Sequence, residues 1–145
     1  MPPPHIKTVS LGPLLDRVVL LEQRLGVRLD PGPPVTLNAD PDQLEQMFIN
    51  LLANAVDATL SNNAKTVLVS WRVVDSSASV TIDDSGLGIA NTENLFVPFY
   101  TTKPKGSGVG LALAQQIARA HGGEIRLLNR EDGAGARATI RLPLP

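Results

Sequence analysis

The chain has 145 residues, the size of one domain with a single buried core. Its 13 basic and 14 acidic residues leave a net charge of −1, which argues against a protein whose main partner is a nucleic acid. No cysteine is present, so disulfides and thiolate metal sites are excluded, and no apolar run approaches the roughly 18 residues that span a bilayer. We therefore expect a cytoplasmic domain that makes no direct membrane contact, whether or not its parent protein is membrane-anchored.

The first part of the chain predicts a strand, a helix and a second strand. Residues 1–5 are expected to be a disordered start, followed by a strand over residues 6–11. Apolar side chains then recur at helical spacing over residues 14–25, and Gly26 is expected to end that helix. A proline-rich turn leads into a short strand at residues 35–37.

The second predicted helix has the clearest start in the sequence. Asp40 can cap it, Pro41 suits its first position, and Gln43 can complete a capping box. Apolar residues follow the 3.6-residue period as far as Ala58, and the polar run at residues 61–63 closes the helix.

The rest of the chain predicts two hairpins and a third helix. Strands are expected at residues 66–74 and 79–83, then a helix at residues 109–120, then strands at residues 124–128 and 136–142. Helices mixed with antiparallel hairpins indicate a two-layer α/β sandwich, with the helices on one face of a sheet.

Polar side chains form a stripe along the second predicted helix. The stripe consists of Gln46, Asn50, Asn54 and Asp57. Spacings of four, four and three residues place these side chains on one helix face. Most such stripes are solvated surfaces, but asparagine is a poor mid-helix residue, and amide oxygens suit magnesium. Taken alone, the stripe is a weak indication of a metal site.

A second candidate site follows the predicted strand at residues 79–83. Asp84 comes directly after this strand, and Gly86 and Gly88 come next. A carboxylate there can accept a hydrogen bond from an exocyclic amino group, and glycines let a backbone approach a ligand closely. A tight turn with an acidic flank explains these residues equally well when they are considered alone.

A third candidate is the glycine-rich loop that opens the third predicted helix. Residues 106–111 alternate glycine with other residues, and free N–H groups at a helix start favour an anion. The side chains of Thr101, Thr102 and Lys103 lie just upstream and could reach phosphate oxygens. No Lys-Ser/Thr pair follows the glycines, so this is not a P-loop; a flexible hinge is the alternative. Residues 85–107 predict no regular structure, which is typical of a functional lid or a disordered segment.

Together the three candidates predict a nucleotide site, and the segments that carry them resemble the histidine-kinase catalytic domain. Residues 50–58 (NLLANAVDA) resemble its N box, residues 84–89 its G1 box, residues 96–103 its F box and residues 106–113 its G2 box. The order and spacing match, and PFYTTK and NAVDA are most similar to nitrogen-regulatory-type sensor kinases. The resemblance covers nearly all of residues 1–145 as a single domain. It implies the Bergerat fold, a mixed sheet of about five strands with three helices on one face.

The resemblance also implies roles at a site for ATP and Mg²⁺. Asp84 would bind the adenine amino group, and Asn54 would ligate magnesium with Asn50 beside it at the phosphates. Residues 90–107 would form the ATP lid, and the implied catalytic residues are Asn50, Asn54 and Lys103. The implied nucleotide-binding residues are Asn50, Asn54, Asp57, Asp84, Gly86, Gly88, Ile89, Phe99, Thr101, Thr102, Lys103, Gly106, Ser107, Gly108, Val109, Gly110 and Leu111.

The residue at position 50 favours a kinase over an ATPase. The ATPases and serine-directed kinases of this superfamily resemble one another in having glutamate there as a general base, and Asn50 cannot take a proton. A neutral histidine acceptor needs no such base, because its imidazole nitrogen is already nucleophilic. We therefore expect transfer of the γ-phosphoryl group to histidine. A self-sufficient ATPase clamp and a non-enzymatic nucleotide-binding module are the rival hypotheses.

Two features depart from the family pattern. Ala136, rather than threonine, follows Gly135, so a side-chain contact to the base is lost or left to water. The only histidines are His5 and His121, and neither has the helical context of a phosphate acceptor. The resemblance therefore implies two protein partners, a histidine-containing dimerisation domain of the same parent protein and a cognate response regulator.

Overall fold

The computed structural model of the chain describes residues 2–88 and 109–145. None of the helices in these residues is long and apolar enough to cross a bilayer. The elements in chain order are β1 (Lys7–Ser10), α1 (Leu11–Leu21), β2 (Arg28–Asp30), β3 (Thr36–Ala39), α2 (Pro41–Ser61), β4 (Leu68–Val74), β5 (Ser77–Asp83), α3 (Val109–Ala120), β6 (Glu124–Asn129) and β7 (Ala136–Pro143).

Five strands form one mixed sheet in the order β2-β4-β5-β7-β6. β2 is parallel to β4, and every other neighbouring pair in this sheet is antiparallel. The predicted α/β sandwich, with three helices and a mixed sheet of five strands, is confirmed. β1 and β3 form a separate two-stranded antiparallel sheet, which the sequence analysis did not predict.

The core lies between the helices and one face of the sheet. The register places Val80 of β5 opposite Trp71 of β4 and Ile140 of β7, so these side chains share one sheet face. They join Phe48 of α2 and Ile117 of α3 in one buried apolar cluster. Burial of this apolar area is the main force that holds the two layers together.

The first helix ends earlier than predicted. α1 stops at Leu21, and Glu22 is already extended, with φ −85° and ψ 112°. The N–H and guanidinium groups of Arg24 bond to the Glu22 carboxylate instead of continuing the helix. Leu25 still packs against the core from the non-helical segment, which explains why the apolar spacing continues past the end of the helix.

The start of α2 is capped as predicted. Oδ1 of Asp40 accepts from the N–H groups of Asp42 and Gln43, at 3.0 and 3.1 Å. Its Oδ2 accepts from the N–H of His5 at 2.9 Å, although His5 belongs to the expected disordered start, residues 1–5. These N–H donors, His5 first, hold the pKa of Asp40 below its ordinary value because they stabilise the ionised carboxylate.

The predicted capping box is wrong. Nε2 of Gln43 donates to the main-chain oxygen of Pro2 (3.0 Å), and the Asp40 N–H donates to Nε2 of His121 (3.0 Å). Nδ1 of His121 lies 2.8 Å from the main-chain oxygen of Ile117. Because Nε2 accepts, the proton of a neutral ring is assigned to Nδ1. His121 therefore caps α3, as predicted, and also joins it to the start of α2.

Candidate functional site

Asp84 is a buried carboxylate directly after β5, where that strand meets β7. Its Oδ1 accepts from the N–H groups of Gly86 and Ala136, both at 2.9 Å. Its own N–H donates to the main-chain oxygen of Ala136 at 3.0 Å. Within residues 2–88 and 109–145 no donor reaches Oδ2. The second oxygen therefore remains an acceptor for a ligand, in an orientation fixed by the first.

The neighbouring Asp83 has a different environment. Its two oxygens accept from Nε and Nη2 of Arg137, at 2.7 and 2.9 Å, in a bidentate pair across β5 and β7. The bond to Asp83 raises the pKa of the Arg137 guanidinium. Successive residues of a strand point to opposite sides, which separates the two carboxylates. Asp83 is thus occupied by its ion pair with Arg137, whereas Asp84 is the carboxylate that can accept a hydrogen bond from a ligand.

Two glycines allow protein segments to meet closely around Asp84. A Cβ atom at Gly135 would lie 2.1 Å from the main-chain oxygen of Asp84, and Gly135 has a φ of 122°. A Cβ atom at Gly86 would lie 2.9 Å from Cβ of Ala58 in α2. Gly135 thus admits the backbone of Asp84, and Gly86, a predicted nucleotide-binding residue, admits the side chain of Ala58.

The C-terminal end of α2 is tied to the segment that follows Asp84. The Ser85 N–H donates to Oγ1 of Thr59 at 3.0 Å, and Nδ2 of Asn62 donates to the Ser85 main-chain oxygen at 3.1 Å. Thr59 is fully buried. Neither side chain was predicted to hold this segment, because a threonine on an apolar helix face gives no signal of a partner 26 residues away.

Asn50, one of the two asparagines of the predicted polar stripe, contacts the start of α3. Nδ2 of Asn50 donates to the main-chain oxygen of Gly110 at 3.4 Å, and its Oδ1 accepts from Nε2 of Gln46 at 2.7 Å. Asn54, one turn further along α2, is half-buried, and its side chain has no hydrogen-bond partner among the residues that the structure describes. Its amide oxygen is therefore open to a ligand.

The last member of the stripe, Asp57, is bonded to the segment after α1. Its Oδ1 accepts from Nη1 of Arg24, whose guanidinium also bonds to Glu22. These bonds, to Glu22 first, raise the pKa of Arg24, and the pKa of Glu22 is lowered in turn. Asp57 was predicted to contact nucleotide, and the structure places it in this ion pair.

A single helix therefore connects two ends of the candidate site. α2 meets the Asp84 segment at Ala58 and the start of α3 at Asn50, which are eight residues apart, or about 12 Å of helix rise. One end presents a hydrogen-bond acceptor, and the other presents amide groups near a helix N-terminus, which favours negative charge. This arrangement fits an elongated ligand with an amino-bearing ring at one end and an anionic tail.

The remaining predicted site residues divide into two groups. Val109 begins α3, and Gly110 and Leu111 follow in its first turn, with Leu111 packed against the core. The predicted lid at residues 90–107 falls outside the described part of the chain, as do Ile89, Phe99, Thr101, Thr102, Lys103, Gly106, Ser107 and Gly108.

Among the described residues, Asn54 is the candidate ligand for the metal that the sequence implies. In the described ranges, no group of three or more His, Cys, Asp or Glu side chains could hold a metal ion. Magnesium needs no such cluster when it keeps its waters and binds phosphate oxygens. The amide oxygen of Asn54, half-buried and without a partner in the same ranges, fits that preference for hard oxygen ligands.

The β6–β7 turn closes against Asp84 and borders an open cavity of about 280 Å³. Nη1 of Arg130 donates to the main-chain oxygen of Asp84 at 2.8 Å, and Asp132 raises the pKa of Arg130 through a hydrogen bond. Sequence reasoning missed Arg130, since an arginine in a polar turn is ordinarily a solvated residue. The cavity is lined by Leu87, Gly88, Asn129, Arg130, Gly133, Ala134 and Gly135.

Known proteins are similar to this chain in sequence and in fold. Residues 39–145 match the family described as histidine kinase-, DNA gyrase B-, and HSP90-like ATPase. The signal transduction histidine-protein kinase AtoS of Escherichia coli strain K12 is 39% identical in an alignment that covers 94% of this chain and 24% of AtoS. The sensor histidine kinase ZraS of Escherichia coli O157:H7 is 42% identical over 110 residues, which cover 74% of this chain and 23% of ZraS. The chain thus spans about a quarter of the length of these relatives.

Two solved structures have the same fold as this chain over almost its whole length. The ATP binding domain of PrrB from Mycobacterium tuberculosis is 32% identical with a TM-score of 0.77, covering 97% of this chain and 98% of that domain. The mycobacterial sensor histidine kinase MprB is 25% identical with a TM-score of 0.84, again covering 97% and 98%. The chain therefore belongs to the histidine kinase-, DNA gyrase B- and HSP90-like ATPase family, as a domain of the kind found in sensor histidine kinases.

Proposed function

We propose that the chain is the ATP-binding catalytic domain of a two-component sensor histidine kinase. It binds ATP with Mg²⁺ and transfers the γ-phosphoryl group to a histidine on a separate dimerisation domain of the same parent protein. That domain then passes the phosphoryl group to a cognate response regulator. The observation that carries the proposal is the buried Asp84, with one oxygen held by two backbone N–H groups and the other without a partner in the described residues.

Asp84 supplies the contact to the base. The adenine amino group donates to Oδ2, whose direction is preset because the N–H groups of Gly86 and Ala136 hold Oδ1. A preset acceptor loses little conformational entropy when the ligand binds, so more of the hydrogen-bond energy appears as affinity. A base without an exocyclic amino group leaves the buried oxygen unpaired, which costs free energy and gives selectivity.

The amides of α2 and the start of α3 receive the triphosphate. Asn54 contributes an oxygen ligand to the magnesium ion, and Asn50 lies beside it at the phosphates. When bound, the ion neutralises charge on the phosphate oxygens. Lys103, Thr101 and Thr102 are predicted to contact the same oxygens. The finer assignment to the nitrogen-regulatory type rests on the PFYTTK and NAVDA motifs.

The proposed phosphoryl transfer needs no general base from this chain. A nitrogen of the acceptor imidazole attacks the γ-phosphorus in line, the bond to the β–γ bridging oxygen breaks, ADP leaves, and the ring releases the proton on its other nitrogen to water. Asn50 cannot accept a proton, and its hydrogen-bond neighbours are the Gln46 amide and the Gly110 carbonyl. This environment disfavours activation of water and therefore disfavours the ATPase clamp.

The test combines this chain with the helical dimerisation domain of its parent protein and ATP labelled at the γ-phosphate. The proposal expects acid-labile, base-stable phosphohistidine on the helical domain, and none when Asp84→Ala replaces the wild-type chain at an ATP concentration limiting for the variant. If the wild-type chain bound ATP and formed no phosphohistidine, or released phosphate steadily on its own, the proposed function would be wrong.

A further inference from the structure

We propose that Arg130 is a positioning residue for the base-binding carboxylate, and that it contributes to recognition of the purine amino group through Asp84. The inference rests on the proposed function and extends it to a turn outside the four family motifs. It assigns a selective role to the β6–β7 turn, residues 130–135, which borders the open cavity and contacts Asp84 through Arg130.

The guanidinium of Arg130 joins two parts of the molecule. Nη1 donates to the main-chain oxygen of Asp84 at 2.8 Å. Nε and Nη2 donate to the two oxygens of Asp132, at 3.0 and 3.3 Å. The Arg130 N–H also closes the turn by donating to the main-chain oxygen of Gly135 at 2.9 Å. Only 19% of the Arg130 side chain is exposed, against 63% of Asp132, so the arginine is held inside the turn.

The β6–β7 turn and the start of β7 hold Asp84 at three of its polar groups. Its N–H donates to the Ala136 oxygen, its Oδ1 accepts from the Ala136 N–H, and its main-chain oxygen accepts from Arg130. The direction of Oδ2 therefore depends on the position of this segment. A displacement of about 1 Å of Oδ2 would weaken its hydrogen bond to the purine amino group.

Arg130 is the only side chain of this segment that donates to Asp84 in the described residues. The segment has alanine at position 136, so no hydroxyl is present there to hold the carboxylate or the base. Its other two bonds to Asp84 come from the main chain of Ala136. A substitution of Arg130 can therefore loosen Asp84 while leaving the Asp84 carboxylate in place.

Arg137 provides a matched control. It forms the same kind of bidentate pair, with Asp83, one residue before Asp84. No described hydrogen bond joins Arg137 to Asp84, and its side chain is 47% exposed. Replacing either arginine with methionine removes one guanidinium and one ion pair, but only the change at Arg130 removes a bond to Asp84.

The experiment measures the affinities of the wild-type chain, Arg130→Met and Arg137→Met for two ligands by calorimetry. The ligands are ATP and purine riboside triphosphate, which lacks the exocyclic amino group. Arg130→Met is expected to weaken ATP binding by about 3- to 10-fold and to change binding of the analogue by less than about twofold. The difference arises because the substitution loosens Oδ2 of Asp84, which bonds only to the exocyclic amino group that the analogue lacks. Arg137→Met is expected to leave the preference for ATP unchanged.

Three outcomes would overturn the inference. If Arg130→Met weakened the binding of both ligands equally, Arg130 would only support the fold in general. If ATP affinity were unchanged, Arg130 would have no role in ATP binding. A wild-type chain without preference for ATP over the analogue would remove the base contact of the proposed function, and the inference with it. If Arg130→Met unfolds, Asp132→Asn, at an exposed position that anchors Arg130, must reduce the preference for ATP in the same direction.

Discussion

The two ends of the candidate site are built differently. At the base end, the N–H, the main-chain oxygen and one carboxylate oxygen of Asp84 are all bonded to neighbouring segments. At the phosphate end, the Asn50 amide accepts from Gln46 at 2.7 Å and donates to Gly110 at 3.4 Å, whereas Asn54 has no side-chain partner within the described ranges. The base end is fixed before a ligand binds, and the phosphate end leaves the Asn54 amide without a partner in the described residues.

This difference indicates which part of the ligand each end recognises. A fixed acceptor discriminates, because a ligand without the matching donor leaves a buried oxygen unpaired. An amide oxygen without a partner among the described residues, such as that of Asn54, suits a hydrated magnesium ion bound to phosphates. We therefore expect substitutions at the base end to change affinity for every adenine nucleotide, and substitutions at the phosphate end to change the response to magnesium.

The largest expected effect comes from Gly135→Ala, which disrupts the base end. The new Cβ would meet the Asp84 oxygen at 2.1 Å, in a backbone conformation that side chains rarely adopt. We expect a loss of about 2–4 kcal/mol in the free energy of unfolding, together with loss of ATP binding. Gly133→Ala is the matched control: its Cβ would meet nothing within 4 Å, so stability should change by less than about 0.5 kcal/mol. Equal thermal unfolding of the two variants would contradict the packing described here.

Asp84→Ala removes the ligand contact itself. ATP affinity should fall by about 1.5–3 kcal/mol, roughly ten- to a hundredfold, as expected when a charged hydrogen-bond partner is lost. Asp83→Asn is the control, because that neighbouring carboxylate is bonded to Arg137 and is expected to change stability more than ATP affinity. Unchanged ATP affinity of Asp84→Ala in a calorimetric titration would remove this residue from base binding.

Asn54→Ala tests the phosphate end. The variant should still bind ATP in the absence of a divalent cation, because the base end is intact, but added magnesium should no longer raise its affinity. Gln46→Ala lies on the same helix face, bonds only to Asn50 among the described residues, and should retain the magnesium effect. If affinity rose with magnesium in Asn54→Ala as it does in the wild-type chain, the metal assignment would be wrong.

The smallest effect concerns Asp40, which caps the helix that joins the two ends. Its pKa is lowered in the folded chain from an unfolded value of about 3.9, so its ionised form contributes stability above that pH. That contribution is lost as the pH falls through the lower, folded value. Asp40→Asn keeps a capping oxygen but cannot ionise, so its unfolding free energy should decline less steeply below about pH 4. Parallel pH profiles of the variant and the wild-type chain would contradict this role, and ATP affinity at pH 7 should be nearly unchanged.

Local features of the site could be predicted from the sequence, whereas its long-range contacts could not. The cap at Asp40, the polar face of α2 and the position of Asp84 after β5 depend on residues that are close in the chain, and all three were found. The bond of Asp40 to His121 and the bond of Arg130 to Asp84 connect residues 81 and 46 positions apart. Neither has a periodic or compositional signal, because hydrogen bonds between turns and caps depend on where the sheet brings their backbones.

Some element ends and helix caps also depend on contacts that are distant in the chain. The apolar period continued to Leu25, although the chain leaves the helix after Leu21, because a core can be filled from an extended segment as well as from a helix. The parallel strand Arg28–Asp30 was missed since three residues are too short to show alternation. The capping box failed because His121 accepts the bond that Gln43 was expected to accept.

The most direct test of the account is a calorimetric titration of the purified wild-type chain with ATP and with purine riboside triphosphate, each with and without magnesium. The account predicts tighter binding of ATP than of the analogue in both conditions, and tighter binding of ATP when magnesium is present. Absence of affinity for any adenine nucleotide, with or without the divalent cation, would contradict it.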